Sequence, residues 1–207
     1  MGPLRSPIYV VINYSSDGRQ AALSLVEACV ASGAGMIQFR AKQELDSQDL
    51  DCLRAMLGRA RAEGVPLVIN DRVDIAQEAG ADGVHVGLED TGVALAREAL
   101  GPEAIVGATT PTAQIALAAE RDGASYVAIG SVYPSPTRPD KRVVGLERVR
   151  EVAAAVGVPV CAIGGITAAR VPEVRAAGAS LVCVISAVSG AADPAGAVRE
   201  LVAACRG

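Results

Sequence analysis

The chain has 207 residues, which fits one large domain or two small ones and suffices for a substantial core. Because it has one Phe, four Tyr and no Trp, its core must consist of Val, Ile, Leu and Ala, as in a buried parallel sheet covered by helices. The net charge of -4 argues against a nucleic-acid-binding surface and against a polybasic membrane anchor.

The N-terminus and the cysteines favour a cytoplasmic protein. The opening stretch MGPLRSPIYV has no apolar segment of the signal-peptide type, and no apolar run approaches the length of a membrane span. The five cysteines are an odd number and include no C-x-x-C pair. We interpret them as small packing residues in a reducing compartment.

Eight short apolar segments predict eight β-strands, with Ala-rich amphipathic segments predicting helices between them. Four helices are expected to end at a glycine that takes a positive φ, after which the chain enters the next strand. These glycines are Gly33, Gly80, Gly123 and Gly178. The predicted strands are Ile8–Asn13, Met36–Arg40, Leu67–Asn70, Gly83–Val86, Ala104–Ala108, Tyr126–Gly130, Pro159–Ile163 and Leu181–Ile185, and a last helix runs from Pro194 toward Cys205.

Strict alternation of strands and helices predicts an α/β protein with a parallel sheet. Eight repeats in this length favour a compact (β/α)8 TIM barrel, a single domain over residues 1–207. The alternative is a doubly wound sheet, which normally has fewer strands. In a barrel the chemistry lies at the C-terminal ends of the strands, so the residues that follow each strand are the candidates.

The second predicted strand ends in QFRAKQ, with Gln38, Arg40 and Lys42 at alternate positions. Strand alternation places these side chains on one side of the chain. Two cations and an amide on one face suit a phosphate or diphosphate. A solvated strand end is the alternative.

The third and fourth predicted strands are followed by carboxylates. Asn70 and Asp71 end the third strand, and Asp90 follows the fourth in HVGLED. Since neighbouring strand ends meet in a barrel, the two Asp side chains can converge on Mg²⁺, which prefers oxygen ligands. The alternative has Asp71 as a helix N-cap and Asp90 as a turn residue. Arg72 and Asp74 are expected to begin the following helix in a structural role.

The fifth strand is followed by Thr109 and Thr110, which are candidate hydroxyl donors; the alternative for Thr110 is a cap for the helix near Pro111. After the sixth strand comes the longest irregular stretch, GSVYPSPTRPDKRVVG, which is either a lid over the barrel mouth or a solvated charged loop. Its candidate polar and cationic residues include Ser135, Thr137 and Arg138.

The last two predicted strands are followed by GGIT and by VISAV. Loops at these strands commonly bind phosphate through backbone N–H groups, and Gly164 and Gly165 allow a close approach. Ile185 and Ser186 can supply further N–H groups. The lone His85 is expected to be structural, either inside the barrel or against a helix.

Four segments together resemble the thiamine-phosphate synthase family: IQFRAK, VINDRVDIAQEAGADGVHVGLED, YVAIGSVYPSPTRPDKR, and AIGGIT with VISAV. The resemblance runs in order over essentially the whole chain. It implies a (β/α)8 barrel that joins 4-amino-2-methyl-5-hydroxymethylpyrimidine diphosphate to hydroxyethylthiazole phosphate, or to its carboxylated form. The products would be thiamine phosphate and pyrophosphate, made by a transferase of thiamine biosynthesis that requires Mg²⁺.

The resemblance also implies residue roles. Asp71 and Asp90 would hold Mg²⁺, while Arg40, Lys42 and Arg138 would stabilise the departing diphosphate as the catalytic residues. The expected substrate-binding residues are Gln38, Arg40, Lys42, Asn70, Thr109, Ser135, Thr137, Arg138, Gly165, Ile185 and Ser186. The implied partners are phosphorylated small molecules, with a homo-oligomer as an option and with neither nucleic acid nor a membrane.

The chain departs from the family pattern at three of these positions. Thr109 stands where the family usually has Ser, Ser135 where it has Thr, and Arg138 where it has Lys. Arg keeps the positive charge, but its planar fork contacts a phosphate differently from the point charge of Lys. The family chemistry is dissociative: pyrophosphate leaves first, and the thiazole nitrogen attacks a pyrimidine-stabilised carbocation, so no protein nucleophile is needed.

Two other functions share this barrel and its phosphate loops. A related thiazole tautomerase binds the thiazole phosphate but handles no diphosphate, and its relatives tend to lack the metal carboxylates. A non-catalytic sensor of phosphorylated ligands is the second. The presence of Asn70, Asp71 and Asp90 favours the synthase.

Overall fold

The computed structural model describes residues 3–135 and 142–206. Eight parallel strands pair in chain order, and the last pairs with the first to close a barrel. The strands are β1 (Ile8–Tyr14), β2 (Met36–Ala41), β3 (Leu67–Asn70), β4 (Gly83–Val86), β5 (Ile105–Thr109), β6 (Tyr126–Ile129), β7 (Val160–Ile163) and β8 (Leu181–Val184).

Helices connect the strands on the outside of the barrel. They are α1 (Arg19–Ala31), α2 (Ser47–Ala62), α3 (Val73–Ala79), α4 (Val93–Leu100), α5 (Ala113–Arg121), α6 (Gly145–Ala155), α7 (Val171–Ala176), α8 (Ser186–Ser189) and α9 (Pro194–Ala204). The (β/α)8 barrel predicted from the alternation is confirmed, and the doubly wound alternative is wrong because β8 pairs with β1.

The four glycines expected at helix ends have the predicted backbone conformation. Gly33, Gly80, Gly123 and Gly178 have φ values of 100°, 65°, 96° and 100°. At the end of α3, for example, the Gly80 N–H donates to the Gln77 carbonyl at 3.1 Å. Positive φ lets the chain reverse within one residue and enter the following strand.

The core has two layers that follow from the alternation of side chains along each strand. Along β1, Ile8, Val10 and Ile12 pack in the layer between barrel and helices, whereas Tyr9 and Val11 face the barrel interior. The interior is filled mainly by Tyr9, Val11, Met36, Val68, Ile105, Tyr126, Ala128, Cys161, Leu181 and Cys183. Inward-facing side chains near the C-terminal ends of the strands therefore lie at the mouth of the barrel.

The cysteines are free thiols with a packing role. Cys29, Cys161 and Cys183 are buried, and Cys52 and Cys205 are partly buried. Within residues 3–135 and 142–206, no helix combines the length and the apolar character that crossing a membrane requires.

Candidate active site at the barrel mouth

Two cations lie at the end of β2, as the alternation predicts. Arg40 pairs in register with Asn13 of β1, and its Nη1 donates to Asn13 Oδ1 at 3.0 Å. Lys42 is exposed just beyond the strand end. Neither makes an ion pair with another residue of the described ranges, so both charges are available to an anion. The sequence analysis missed Asn13, although its interior phase two residues after Val11 could have indicated it.

A cavity of about 480 Å³ lies beside these cations. Its volume is within the range of small-molecule sites. Its lining brings together four of the predicted site residues, Arg40, Lys42, Asn70 and Asp71. The β2 and β3 ends thus form one wall of the mouth.

Asp71 has an unusual backbone conformation directly after β3. Its φ is 63°, a left-handed value that is uncommon outside glycine, although Asp and Asn tolerate it best. Its N–H donates to the His85 carbonyl at 2.8 Å, and its carboxylate accepts from the Asn70 side-chain amide. Arg72, not Asp71, is the N-cap residue of α3. The alternative that made Asp71 a helix cap is therefore wrong.

Asp90 approaches the same place from the loop after β4. Its Oδ2 accepts the Gly87 N–H at 2.8 Å, and a Cβ on Gly87 would lie 2.5 Å from that oxygen and 3.9 Å from Asp71 Oδ1. Burial, a hydrogen bond with Asp90 and the negative charge of Asp90 raise the pKa of Asp71 to about 6. Two carboxylates held this close repel each other when ionised, an arrangement that a divalent cation relieves.

Arg72 and Asp74 have the structural role that the sequence predicts. Arg72 Nη2 donates to Asp74 Oδ2 at 2.6 Å, and Arg72 Nη1 donates to Glu44 at 3.3 Å. Asp74 lies in the first turn of α3, where its negative charge favours the helix N-terminus. Pairing with Arg72 lowers the pKa of Asp74.

The ends of β5 and β6 are only partly described. Thr109 is exposed at the end of β5. Thr110 is buried and its hydroxyl donates to the Ala128 carbonyl at 3.4 Å, so the prediction that it caps a helix is wrong. The cap of α5 is Thr112, which accepts from the Ile115 N–H at 3.3 Å.

Ser135 is the last described residue before the gap. Thr137 and Arg138 lie in positions 136–141, the middle of the segment interpreted as a lid, which are outside the described residues.

The loops after β7 and β8 lie side by side. Gly164 and Gly165 have φ values of 106° and 64°, and a Cβ on Gly165 would lie 2.4 Å from the Pro134 carbonyl oxygen. Arg170 Nη1 donates to the Gly165 carbonyl at 2.6 Å while its guanidinium stacks on Tyr133 at 4.3 Å.

Two backbone N–H groups at this pair of loops are available to a ligand. The N–H groups of Gly165 and Ser186 have no acceptor within residues 3–135 and 142–206. Ile185 is the N-cap residue of α8, and because Ile163 of β7 pairs in register with Cys183 of β8, the two loops begin at adjacent strand ends. The sequence-predicted phosphate residues are therefore neighbours in the fold.

A chain of hydrogen bonds crosses the barrel interior below the mouth. The Gln38 amide donates to Tyr9 Oη, which lies 2.9 Å from Tyr126 Oη. Tyr126 Oη is 2.9 Å from His85 Nδ1, and His85 Nε2 is 3.0 Å from Thr109 Oγ1. Of the two placements expected for His85, the interior one is correct. The sequence analysis missed both Tyr residues, which interior phase alone would have suggested.

Burial controls the protonation of this chain. It lowers the pKa of His85 to about 4, so the imidazole is neutral, and it raises the pKa of Tyr9 and Tyr126 well above their usual range. The chain therefore consists of neutral groups with one hydrogen each on the two phenols and the imidazole.

Residues 8–188 match a family model described as thiamine monophosphate synthase. A thiamine-phosphate synthase of Roseiflexus castenholzii is 42% identical over 198 residues, covering 95% of this chain and 87% of the relative. A thiamine-phosphate synthase of Moorella thermoacetica is 43% identical over 196 residues, which cover 94% of this chain and 93% of the relative.

A solved structure shows the same barrel. The thiamine phosphate pyrophosphorylase of Pyrococcus furiosus superposes with a TM-score of 0.87 at 34% identity. The superposition covers 98% of this chain and 96% of the other. Sequence and fold thus point to the same relatives.

Proposed function

Because the chain belongs to the thiamine monophosphate synthase family, we propose that it joins an aminopyrimidine methyl diphosphate to a hydroxyethylthiazole phosphate. The products are thiamine phosphate and pyrophosphate, and the enzyme is a transferase. The observation that carries the proposal is the cavity shared by Arg40, Lys42 and Asp71, whose carboxylate lies close to that of Asp90. A site for a phosphate monoester alone does not need that combination.

Asp71 and Asp90 fit a Mg²⁺ ion. Their carboxylates converge over Gly87, and burial together with the neighbouring Asp90 raises the pKa of Asp71, so a cation between them would favour the ionised forms. Within residues 3–135 and 142–206 no group of three or more His, Cys, Asp and Glu side chains could hold a metal, so further ligands must come from diphosphate oxygens and water. When bound, Mg²⁺ supplies charge neutralisation for the departing diphosphate.

The side chains at the β2 and β3 ends bind and orient the diphosphate. Arg40 has a planar fork that matches two phosphate oxygens, and its contact with Asn13 restricts its position. Lys42 adds a mobile point charge. Asn70 donates to Asp71 and so fixes the carboxylate nearest the cavity. Arg138, in the part of the chain not described, is proposed as the third cation.

The thiazole phosphate is proposed to bind at the opposite side of the mouth. The support is the pair of unpaired N–H groups of Gly165 and Ser186, with Ile185 beside them. Ser135 and Thr137 are proposed to contribute hydroxyl groups from the loop after β6. Gln38 and Thr109 are proposed to contact the pyrimidine from the floor between the two anion sites.

In the proposed reaction the pyrophosphate departs before the new carbon–nitrogen bond forms. The bond between the pyrimidine methylene carbon and the diphosphate oxygen breaks first, and its electron pair leaves with the pyrophosphate. The thiazole nitrogen then donates its lone pair to the methylene carbon. The roles of the chain are to neutralise the leaving group through Arg40 and Lys42, and to hold both substrates in line.

An assay with both substrates tests this proposal. We expect thiamine phosphate and pyrophosphate in equal amounts with Mg²⁺, and none in EDTA. Asp71→Ala is expected to abolish coupling while the thiazole phosphate still binds in calorimetry. Absence of thiamine phosphate, together with isomerisation of the carboxylated thiazole phosphate, would instead identify a tautomerase.

A further inference from the structure

The interior chain of hydrogen bonds has a direction. Gln38 Nε2 can only donate, so Tyr9 Oη accepts from it and turns its own hydrogen toward Tyr126 Oη, 2.9 Å away. Tyr126 then donates to His85 Nδ1 at 2.9 Å. An imidazole that accepts at Nδ1 and is neutral carries its hydrogen on Nε2, so it donates to Thr109 Oγ1 at 3.0 Å.

Both ends of this chain therefore have a fixed hydrogen-bonding character. The Thr109 oxygen already accepts from His85, and its own hydrogen has no acceptor within the described ranges, so it is available to a ligand. At the other end, Gln38 Oε1 receives no hydrogen bond from any residue in the described ranges and is left as an acceptor. The floor of the mouth, formed by Gln38 and Thr109, thus offers one donor, the Thr109 hydroxyl, and one acceptor, Gln38 Oε1. These two roles can be exchanged only if every hydrogen bond between them reverses its direction.

We propose that the chain Gln38–Tyr9–Tyr126–His85–Thr109 selects an aminopyrimidine over its oxo analogue. An exocyclic amino group donates to Gln38 Oε1, and a ring nitrogen accepts from the Thr109 hydroxyl. If an oxo group replaces the amino group, its oxygen meets Gln38 Oε1, and two hydrogen-bond acceptors then face each other. Tyr9, Tyr126 and His85 are positioning residues, since they act on the ligand through the two ends. This inference rests on the proposed function for the identity of the substrate.

The chain is built to keep this direction. Tyr9 and Tyr126 are fully buried, with rings packed edge to face at a centroid distance of 5.9 Å, and the His85 ring stacks on Tyr126 at 5.6 Å. Burial raises the pKa of both phenols well above the usual range, so each phenol keeps its hydrogen. The two buried phenols are held firmly, because breaking either of their hydrogen bonds would leave a buried hydroxyl unpaired at a cost in desolvation energy.

The test compares kcat/KM for the aminopyrimidine diphosphate and for its oxo analogue. For the wild type we expect a preference on the order of 10⁴-fold, as for sites whose buried polar groups match one substrate. Tyr126→Phe divides the chain into two halves that can each reverse, so the preference should fall about tenfold or more. An equal loss for both substrates, with the preference unchanged, would overturn the proposal.

Tyr14→Phe is the matched control. Tyr14 is also buried and donates to Asp49 at 2.7 Å, but it packs in the layer between barrel and helices. It should lose a similar amount of stability and keep the preference. Should Tyr126→Phe fail to fold, Tyr9→Phe removes the next link and is expected to give the same fall. At the end of the chain, Thr109→Ser should keep the preference and Thr109→Val should lose it.

A spectroscopic measurement tests the direction itself. His85 is the only histidine in the chain, so a ¹⁵N-histidine-labelled sample reports one imidazole. We expect the Nε2–H tautomer in the wild type and a mixture of tautomers in Tyr126→Phe. A wild-type Nδ1–H tautomer would reverse the chain and overturn the proposal.

Failure of this inference is distinguishable from failure of the proposed function. If the wild type makes thiamine phosphate but uses the oxo analogue equally well, only the selection by the floor is wrong. If it makes no thiamine phosphate at all, the proposed function is wrong. In that case, equal binding of the two free pyrimidine alcohols in calorimetry would overturn the floor selection as well.

Discussion

The carboxylates of Asp71 and Asp90 both lie beside Gly87, although they come from different strand ends and neither residue belongs to a helix or a strand. Gly87 supports the contact by donating its N–H to Asp90 Oδ2 at 2.8 Å. The left-handed backbone of Asp71 stores strain at this place, as often occurs at functional sites. When both carboxylates are ionised they repel each other, and a cation between them would relieve that repulsion.

Asp71→Asn should separate stability from function. Asn keeps the tolerance for positive φ but removes one of the two charges. A carboxyl group whose folded pKa is raised from 3.8 to about 6 contributes stability below its ordinary pKa and loses it as the pH rises through about 6. At pH 7.5 in EDTA the variant should therefore gain about 1 kcal/mol, after allowance for solvent screening at a half-exposed site.

Thermal melts in EDTA measure this gain, which corresponds to a rise in Tm of about 2–4 °C. At pH 4 the difference from the wild type should vanish, because Asp71 is then protonated. Coupling activity with Mg²⁺ should fall by at least about 100-fold. An unchanged melting temperature at both pH values would show that the two carboxylates do not repel each other.

Metal affinity should weaken at acidic pH. Since Mg²⁺ binds the ionised carboxylate, a proton on Asp71 competes with it below a pH of about 6. The apparent dissociation constant for Mg²⁺, from activity titrations at saturating substrates, should rise about tenfold for each pH unit below that value. In Asp71→Asn this pH-dependent rise should disappear. If the rise persists in the variant, a group other than Asp71 is responsible for it.

Gly87→Ala should disable the carboxylate pair through steric pressure alone. The added Cβ would lie 2.5 Å from Asp90 Oδ2, so Asp90 must move away from Asp71. We expect a loss of Mg²⁺-dependent coupling with the affinity for the thiazole phosphate retained. Gly58→Ala is the control, because no atom lies within 4 Å of its Cβ and the position is inside α2. The control should be fully active and about 1 kcal/mol more stable.

Arg170→Ala should affect the other anion site. Arg170 fixes the Gly165 carbonyl at 2.6 Å and stacks on Tyr133, whose hydroxyl donates to Glu173 at 2.6 Å. Without Arg170 the Gly165 carbonyl loses its anchor, so Gly165 and the N–H that it carries are held less firmly at the loop. We expect KM for the thiazole phosphate to rise about tenfold, with little change in KM for the pyrimidine diphosphate. An equal change in both constants would indicate a general loss of structure.

The sequence by itself determined the barrel and the order in which its strand ends present polar groups. The spacing of apolar residues and of helix-ending glycines such as Gly80 is local information, and parallel strands leave few ways to close eight repeats. Arg40, Asn70 and Asp90 could therefore be assigned to the mouth from their positions after strands. The incorrect cap at Thr110 shows the limit, since the choice between Thr110 and Thr112 depended on where one strand ended.

Only the tertiary structure decided which of these groups touch. Tyr9 and Tyr126 are 117 residues apart, and their hydrogen bond exists because both strands point those side chains into one closed interior. The pairing of Asn13 with Arg40 likewise depends on the register between β1 and β2. Local periodicity fixes the face of the strand on which a side chain lies. Its partner across the barrel depends on strand register and on barrel closure, which no single segment of the sequence determines.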